Sequence, residues 1–504
     1  MAIVATAEAS APAHRTYGNW RRPTSPGIGN LGLLSTVLLF AGFLAVIITL
    51  FFGGVIAAVV VGLILGLMFA GLNTRDRHHR TTLQRVAGRG AFWRTRAGGR
   101  HLYRSGPVGW VPTARHTLPG LAAGSEVSEA EDAYGRRFAL LRLPSRNDYA
   151  VTFSCEPDGA SLVDTEQVDS WVAHWGNWLA SLGDEPGLVG AQVTVETAPD
   201  FGTRLRREVE NNLDPDAPAV AQAMLRDVVE SYPAGSATVR AFVTLTFSGT
   251  VRGVRRDPEV TARDLAVRLP ALSEGLHATG AGAARPVTAR ELAELVRTAY
   301  DPAAAHTFDA ARAAGEPLTV DWADVGPTAA QAIWDHYRHD SGVSVTWGMT
   351  EAPRGEVLDS VLATLLSPHR DIDRKRVALL YRPLAAGAAS DAVVADVNAA
   401  TFRAQSARPG NARTANDLRK AERSALEEAQ GAGVTNFSML VTATVSSEAQ
   451  LPLATAAIDS LAPTARIRLR VLHGSQDSAF TAALPLGIVV PRHLRVPTEL
   501  RNAL

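Results

Sequence analysis

Three shortages set the first bounds. Cys155 is the only cysteine among 504 residues, so no intramolecular disulfide can form and a tetrahedral cysteine zinc site is excluded. Lysine is confined to Lys375 and Lys420, which follow Arg374 and Arg419. A P-loop needs Gly-Lys-Ser/Thr so that main-chain N–H groups and the lysine hold phosphates; that motif is missing, as are H-E-x-x-H, G-x-S-x-G and C-x-x-C. Acids are scarce at the front: from Met1 to Gly124 there are only Glu8 and Asp76, against arginines from Arg15 and Arg21 through Arg85, Arg89, Arg94, Arg96, Arg104 and Arg115. The whole chain balances at 50 acidic and 50 basic residues, so the remainder is net acidic. That argues against nucleic acid as a partner, because phosphate binding requires a cationic surface. The wealth of arginine and alanine fits the coding of a high-GC bacterium.

What is present first is an apolar run. From Leu31 to Leu72 there is no charge, and Ser35, Thr36 and Thr49 are the only polar interruptions. As helix the run measures roughly 60 Å, about twice the hydrocarbon thickness of a bilayer. Two spans fit, at about Leu33–Phe51 and Val55–Leu72, with the turn at Gly53-Gly54. Arg15, Arg21 and Arg22 precede the run and Arg75, Arg77 and Arg80 follow it. The positive-inside rule therefore puts both termini in the cytoplasm, as an even number of crossings requires. The expectation is a multi-pass protein of the bacterial inner (cytoplasmic) membrane. Gly62-Leu-Ile-Leu-Gly66 is a small-xxx-small pattern, and with Gly53 and Gly54 it marks the expected transmembrane packing positions, against the first helix or a partner helix. Pro26-Gly27-Ile-Gly29-Asn-Leu-Gly32 matches G-x-G-x-x-G only formally, since it follows no strand and opens into the apolar run.

The length allows roughly three domains. We divide the chain into a cytoplasmic N-terminal tail (1–30), a transmembrane helical hairpin (31–72), a basic juxtamembrane connector (73–130), a first α+β domain (131–255) and a second α+β region (256–504). The connector reads as a few short strands, with Trp93, Tyr103 and Trp110 among its arginines positioned for lipid headgroups. Arg137–Pro144 and Asp148–Cys155 read as strands. A helix from Thr165 carries Val168, Trp171, Val172, Trp175 and Trp178 as a core stripe. Strands at Leu188–Thr197 and Ala237–Ser248 flank a helix at Pro218–Ser231. The fold class is α+β, with an N-terminal two-helix transmembrane hairpin and a cytoplasmic part of two ferredoxin-like α/β-sandwich modules. In the second region Thr288 and Glu291 predict a capped helix to Tyr300, and the α-β series on either side of about Leu272 could be two related folds.

His336 and His339 fall on an expected helix with carboxylates nearby, but Arg338 lies between them and a solvated polar face is the plainer reading. Cys155 is expected to be a small buried hydrophobe. No catalytic, metal-binding or cofactor-binding residue is assigned, and no cofactor is expected.

Two stretches carry a family likeness: Thr288-Ala-Arg-Glu-Leu-Ala-Glu-Leu-Val-Arg-Thr-Ala-Tyr-Asp-Pro302, and Asp477-Ser-Ala-Phe-Thr-Ala-Ala-Leu-Pro-Leu-Gly487. With the element order, they resemble a PrgI-type membrane hairpin joined to the non-catalytic N-terminal half of the type IV secretion and conjugation ATPases of the VirB/TraC/TrbE kind. The resemblance implies a non-enzymatic, membrane-anchored structural component or adaptor of an actinobacterial conjugation or type IV-like secretion apparatus. Its implied partners are membrane lipids, a separate P-loop ATPase and other membrane subunits, with self-association left open. An EccE-like membrane component of type VII secretion and a membrane-bound enzyme with an unrecognised site are the alternatives.

Overall fold

The computed structural model describes residues 15–18, 20, 33–74, 76, 80–107, 109–110, 113–157, 159, 162–200, 202–231, 237–251, 253–353, 355–406 and 411–494. The glycine pattern at 26–32, Arg21, Arg22, Arg75 and Arg77 lie outside them.

Helix α1 (Leu33–Asn73) is the apolar run, and its backbone leaves helical geometry at Gly54 (φ 76°, ψ 175°). Within it, Thr36–Gly71 is long and apolar enough to cross a membrane, with a mean hydropathy of 2.9. Where the sequence predicts a connector with short strands, the structure has helix α2 (Thr82–Ala97). The cause is local: Thr81 and Gln84 form a reciprocal capping box, and alanine, arginine, leucine and glutamine outweigh the two glycines in helix propensity.

A first series of elements follows: β1 (Leu102–Arg104), β2 (Glu126–Glu131), β3 (Arg137–Leu143), β4 (Asp148–Glu156), α3 (Thr165–Ser181), β5 (Leu188–Pro199), the helix pair α4 (Thr203–Asn212) and α5 (Ala219–Ser231), and β6 (Ala237–Ser248). The small hairpin β7 (Thr250–Val251) and β8 (Val254–Arg255) leads to α6 (Pro258–His277), β9 (Ala283–Pro286), α7 (Ala289–Tyr300) and α8 (Ala304–Ala313). The second series comprises β10 (Ala329–Ala332), β11 (Tyr337–His339), β12 (Gly342–Glu351), α9 (Ala363–Leu366), β13 (Arg374–Pro383), the pair α10 (Ala386–Gln405) and α11 (Ala412–Ala429), β14 (Thr435–Val445), α12 (Leu451–Thr464), β15 (Arg468–Val471) and α13 (Gln476–Ala483).

Apart from β7–β8, these strands build one antiparallel sheet in the order β1-β10-β11-β12-β14-β13-β5-β6-β4-β3-β2, with β9 added to β4 and β15 to β12. The two series repeat each other. The spatial order β9-β4-β6-β5 in the first is matched by β15-β12-β14-β13 in the second. The repetition extends to atoms. Thr152 and Thr244 hydroxyls lie 3.0 Å apart across β4–β6, as Thr346 and Thr442 do across β12–β14. Val287 N donates to Thr152 O at 2.9 Å, and Leu472 N to Thr346 O at 3.0 Å. The repeats meet where β5 pairs with β13, placing Thr194 opposite Ala378. Division between them falls after α8, not near Leu272. Helix α6 and strand β9, assigned by sequence to the second region, complete the first repeat: Leu265, Leu269 and Leu276 pack with Trp178, Val151 and Phe153.

One face of the sheet is covered by α3 and α6 in the first repeat and by α9 and α12 in the second. The other is covered by one face of α7, by α13 and by the segment Leu484–Ile488, which is buried throughout. That segment is strapped across the first repeat: Pro485 O accepts from Thr152, Gly487 O from Thr246, and Leu484 O from Gln192. Arg492 then closes a two-bond pair on the buried Asp148 carboxylate, at 2.9 and 2.8 Å. The free edge at β2 carries Glu126, Glu129 and Glu131, charges that discourage pairing with another strand.

Candidate membrane-facing site

Almost nothing in the described part of α1 is covered by the body. Phe40, Phe43, Leu63 and Leu67 are exposed, and Phe52, beside the Gly54 break, is 90% exposed. A surface this apolar is stable only if something other than water meets it. The four predicted packing glycines separate into different roles. Gly54 supplies the left-handed backbone at the break. A Cβ on Gly53 would sit 3.2 Å from Ala57 Cβ. A Cβ on Gly62 would stand 3.6 Å from Val46 Cγ2, sixteen positions earlier, whereas Gly66 faces open space.

The chain on both sides of α1 touches the same folded body. Before it, Tyr17 exchanges two main-chain hydrogen bonds with Val357 (2.8 and 2.9 Å) and donates its hydroxyl to Asp169 at 2.6 Å. After it, α2 contacts α1 and is clamped onto the second repeat. Phe92 is buried edge-on against Trp334 (5.2 Å), and Trp334 stacks on His473 (5.6 Å, 7°). Gly474 closes the clamp with φ +74°; a Cβ there would approach Trp334 Cζ3 to 2.7 Å. Beneath it, Arg470 is lowered to about 10 by burial and by the nearby Arg80 charge.

The face of α2 turned away from the body is exposed, with Trp93 at 77% and Val86 at 60%, and Arg85, Arg89, Arg94 and Arg96 are exposed around them. Arg94 and Arg96 also complement the helix C-terminus. Further on, Arg104 lies 5.9 Å over the ring of the exposed Trp110. Sequence reading located these aromatics and arginines but missed the helix that orders them. The Thr81–Gln84 spacing was the available signal.

The polar candidates His336, His339 and Cys155 lie elsewhere. His336 precedes a strand, not a helix, and lies 2.9 Å from Asp335. His339 is buried in β11, its Nδ1 donating to Tyr300 O at 2.6 Å and its Nε2 2.8 Å from Ser344 Oγ. Burial lowers it to about 4. Among the described residues, no group of three or more His, Cys, Asp or Glu side chains could hold a metal ion. Cys155 is buried in the first core, and burial pushes its thiol up to about 11. A cavity of about 250 Å³ sits where Val489 and Val490 cross β5, β13 and β14. Its polar lining residues are Gln192, Thr246, Tyr381, Arg382, Asn436 and Ser438, and the Tyr381 ring packs against Trp175.

At the junction of the repeats Glu196, Arg374 and Arg376 are buried together. Glu196 accepts from Arg374 Nη1 and Arg376 Nε, both at 2.9 Å, and from Arg376 Nη2. Burial alone would raise the Glu196 carboxyl, but the two guanidinium charges outweigh it and hold it below the usual range. Arg376 also lies over the Phe480 ring of α13, 5.7 Å from its centre.

A family model described as a domain of unknown function (DUF8461) matches residues 24–84. The match covers α1, the link after it and the first turn of α2. No curated protein matches the chain.

Proposed function

We propose that this protein is a membrane-anchored positional component, held by a helical hairpin with both flanks on the cytoplasmic side. The observation that carries the reading is that Tyr17, before α1, and α2, after it, both contact the same folded body. A segment entering a bilayer with both flanks on one body must return to the side it entered. The approach of Val46 to Gly62 supports the same reading, since a straight helix would separate them by about 24 Å. Gly54 is then the turn, Gly53 and Gly62 lie at the helix–helix contact, and the open Gly66 is available to a further membrane helix.

The two repeats form a platform, one continuous sheet with the strand order of paired ferredoxin-like modules. Each extrudes one helix pair: α4–α5 carries exposed Val220 and Met224, and α10–α11 carries exposed Phe402 and Leu426. These apolar arms suit contact with another polypeptide better than chemistry. With the resemblance of the Thr288–Pro302 and Asp477–Gly487 stretches, they favour an adaptor that docks a separate P-loop ATPase onto a type IV-like conjugation or secretion channel of the bacterial inner membrane. Topology is tested by cysteine labelling in spheroplasts, which the buried Cys155 leaves clean. Thr16→Cys should be protected from an impermeant maleimide until the cells are opened; labelling in closed cells would sink the reading. The adaptor role is tested by purification in mild detergent, with a motor-domain ATPase expected to co-purify. A chain that returns alone from native membranes would count against it.

A further inference from the structure

We infer that the outward face of α2 is a binding surface for anionic lipid headgroups, which fixes how the folded body stands on the bilayer. The inference rests on the anchored reading and deepens it. At about 100° per residue, Gln84, Gly88, Phe92 and Thr95 share the side of α2 turned to the body, where none is exposed. Val86, Trp93 and Ala97 fall diametrically opposite, all exposed. Arg85, Arg89 and Arg96 form a row along one border of that apolar strip, and Arg94 stands on the other.

An apolar strip with an interfacial tryptophan, bordered by arginines and free of acids, is the pattern of a helix lying in a headgroup layer. Location agrees. Thr82 N donates to Thr74 O at 3.1 Å, which ties the first turn of α2 to the exit of α1. Arg80 and Arg470 lie near that exit together with a single acid, Asp76, leaving it net positive. Arginines beside an anionic leaflet are attracted within a Debye length, and the Phe92–Trp334–His473 clamp prevents α2 from rolling its strip back onto the protein. A nucleic acid or acidic protein segment could meet arginines, but neither accounts for the central Val86–Trp93 strip.

The test uses the full chain in nanodiscs of phosphatidylcholine, with and without about one-third phosphatidylglycerol. A nitroxide is attached at Trp93→Cys, at Ala91→Cys on a different side of α2, and at Leu63→Cys in α1. The expected result is that the label at 93 gains oxygen accessibility relative to an aqueous nickel quencher, severalfold over the label at 91, only in anionic discs. About 1 M salt, where the Debye length is about 3 Å, should abolish the gain, as should the triple change Arg85→Glu, Arg89→Glu, Arg96→Glu. A label at 93 that stays in water in anionic discs, while the label at 63 sits in hydrocarbon, overturns the inference alone. Equal immersion in neutral discs overturns the charge recognition. Loss of access to both quenchers would mean a protein surface covers α2, and also overturns it. A label at 63 in water would instead remove the anchored reading itself.

Discussion

Glu196 is the residue whose replacement should damage the platform most. It is a single carboxylate between two guanidinium groups, and Arg374 Nε and Arg376 Nη1 already lack hydrogen-bond partners. Changing Glu196 to Gln keeps the shape but leaves two buried cations with no counter-charge. Removing one partner of a buried ion pair destabilises by about 3–5 kcal/mol, and Glu196→Gln should fall in that range. Replacing Arg374 by Met has a different consequence, because it leaves a neutral Glu196–Arg376 pair. That change should lower stability less, by about 1.5–3 kcal/mol, the range for a lost charge-assisted hydrogen bond. The asymmetry, not the absolute size, is the prediction. It is measured on the full chain in detergent by pulse proteolysis across a urea series, which reads the population of opened protein. Equal losses for the two variants, or a loss below about 1 kcal/mol for Glu196→Gln, would refute the claim that this carboxylate neutralises the junction. Because its folded carboxyl is held below the usual range, its contribution is complete above the ordinary value and disappears as pH falls through the lower one.

His339 should make stability depend on pH in a second window. Its folded value of about 4 lies below the ordinary 6.5, so the unfolded chain binds the proton first and stability falls as pH drops from 6.5 to 4, by up to about 3 kcal/mol; His339→Gln should flatten that segment of the urea-midpoint profile, and an unchanged slope would count against it. Gly487→Ala would place a Cβ 2.2 Å from Thr246 Oγ1 at a φ of +65°, so a loss of about 2–5 kcal/mol is expected in the same assay. The native Cys155 thiol should resist aromatic disulfide reagents at neutral pH and react only on unfolding; rapid labelling of the folded chain would contradict its burial.

Much of the sheet was legible because its alternation is local. Ala237–Ser248 was read with the bounds the structure has, and Thr288 and Glu291 mark a helix start that forms as a capping box. Elements whose stability comes from distant partners were not legible. Charges at Arg374 and Lys375 disguise the first residues of β13, an inner strand between β14 and β5 whose Arg374 and Arg376 are neutralised by Glu196 of the other repeat. His336 and His339 suggest a helical spacing, yet Asp340 takes a positive φ and turns β11 directly into β12. Leu384–Arg413, ambiguous between helix and loop, is largely α10, whose Ala389, Val393 and Ala400 are buried. The α2 face was hidden for the opposite reason: its organisation is helical, but arginine and glycine dominate a segment whose partner surface is the loops beside Trp334 and His473.

The strap from Leu484 to Ile488 has a consequence for biosynthesis. Its donors Thr152 and Thr246 lie hundreds of positions upstream, so the earlier half of the chain leaves the ribosome with an uncovered row of hydroxyls and amides. That half cannot seal until residues 484–488 have been made. Synthesis of the strap therefore acts as a checkpoint, and a product terminated before it should be recognised by its unsealed first repeat.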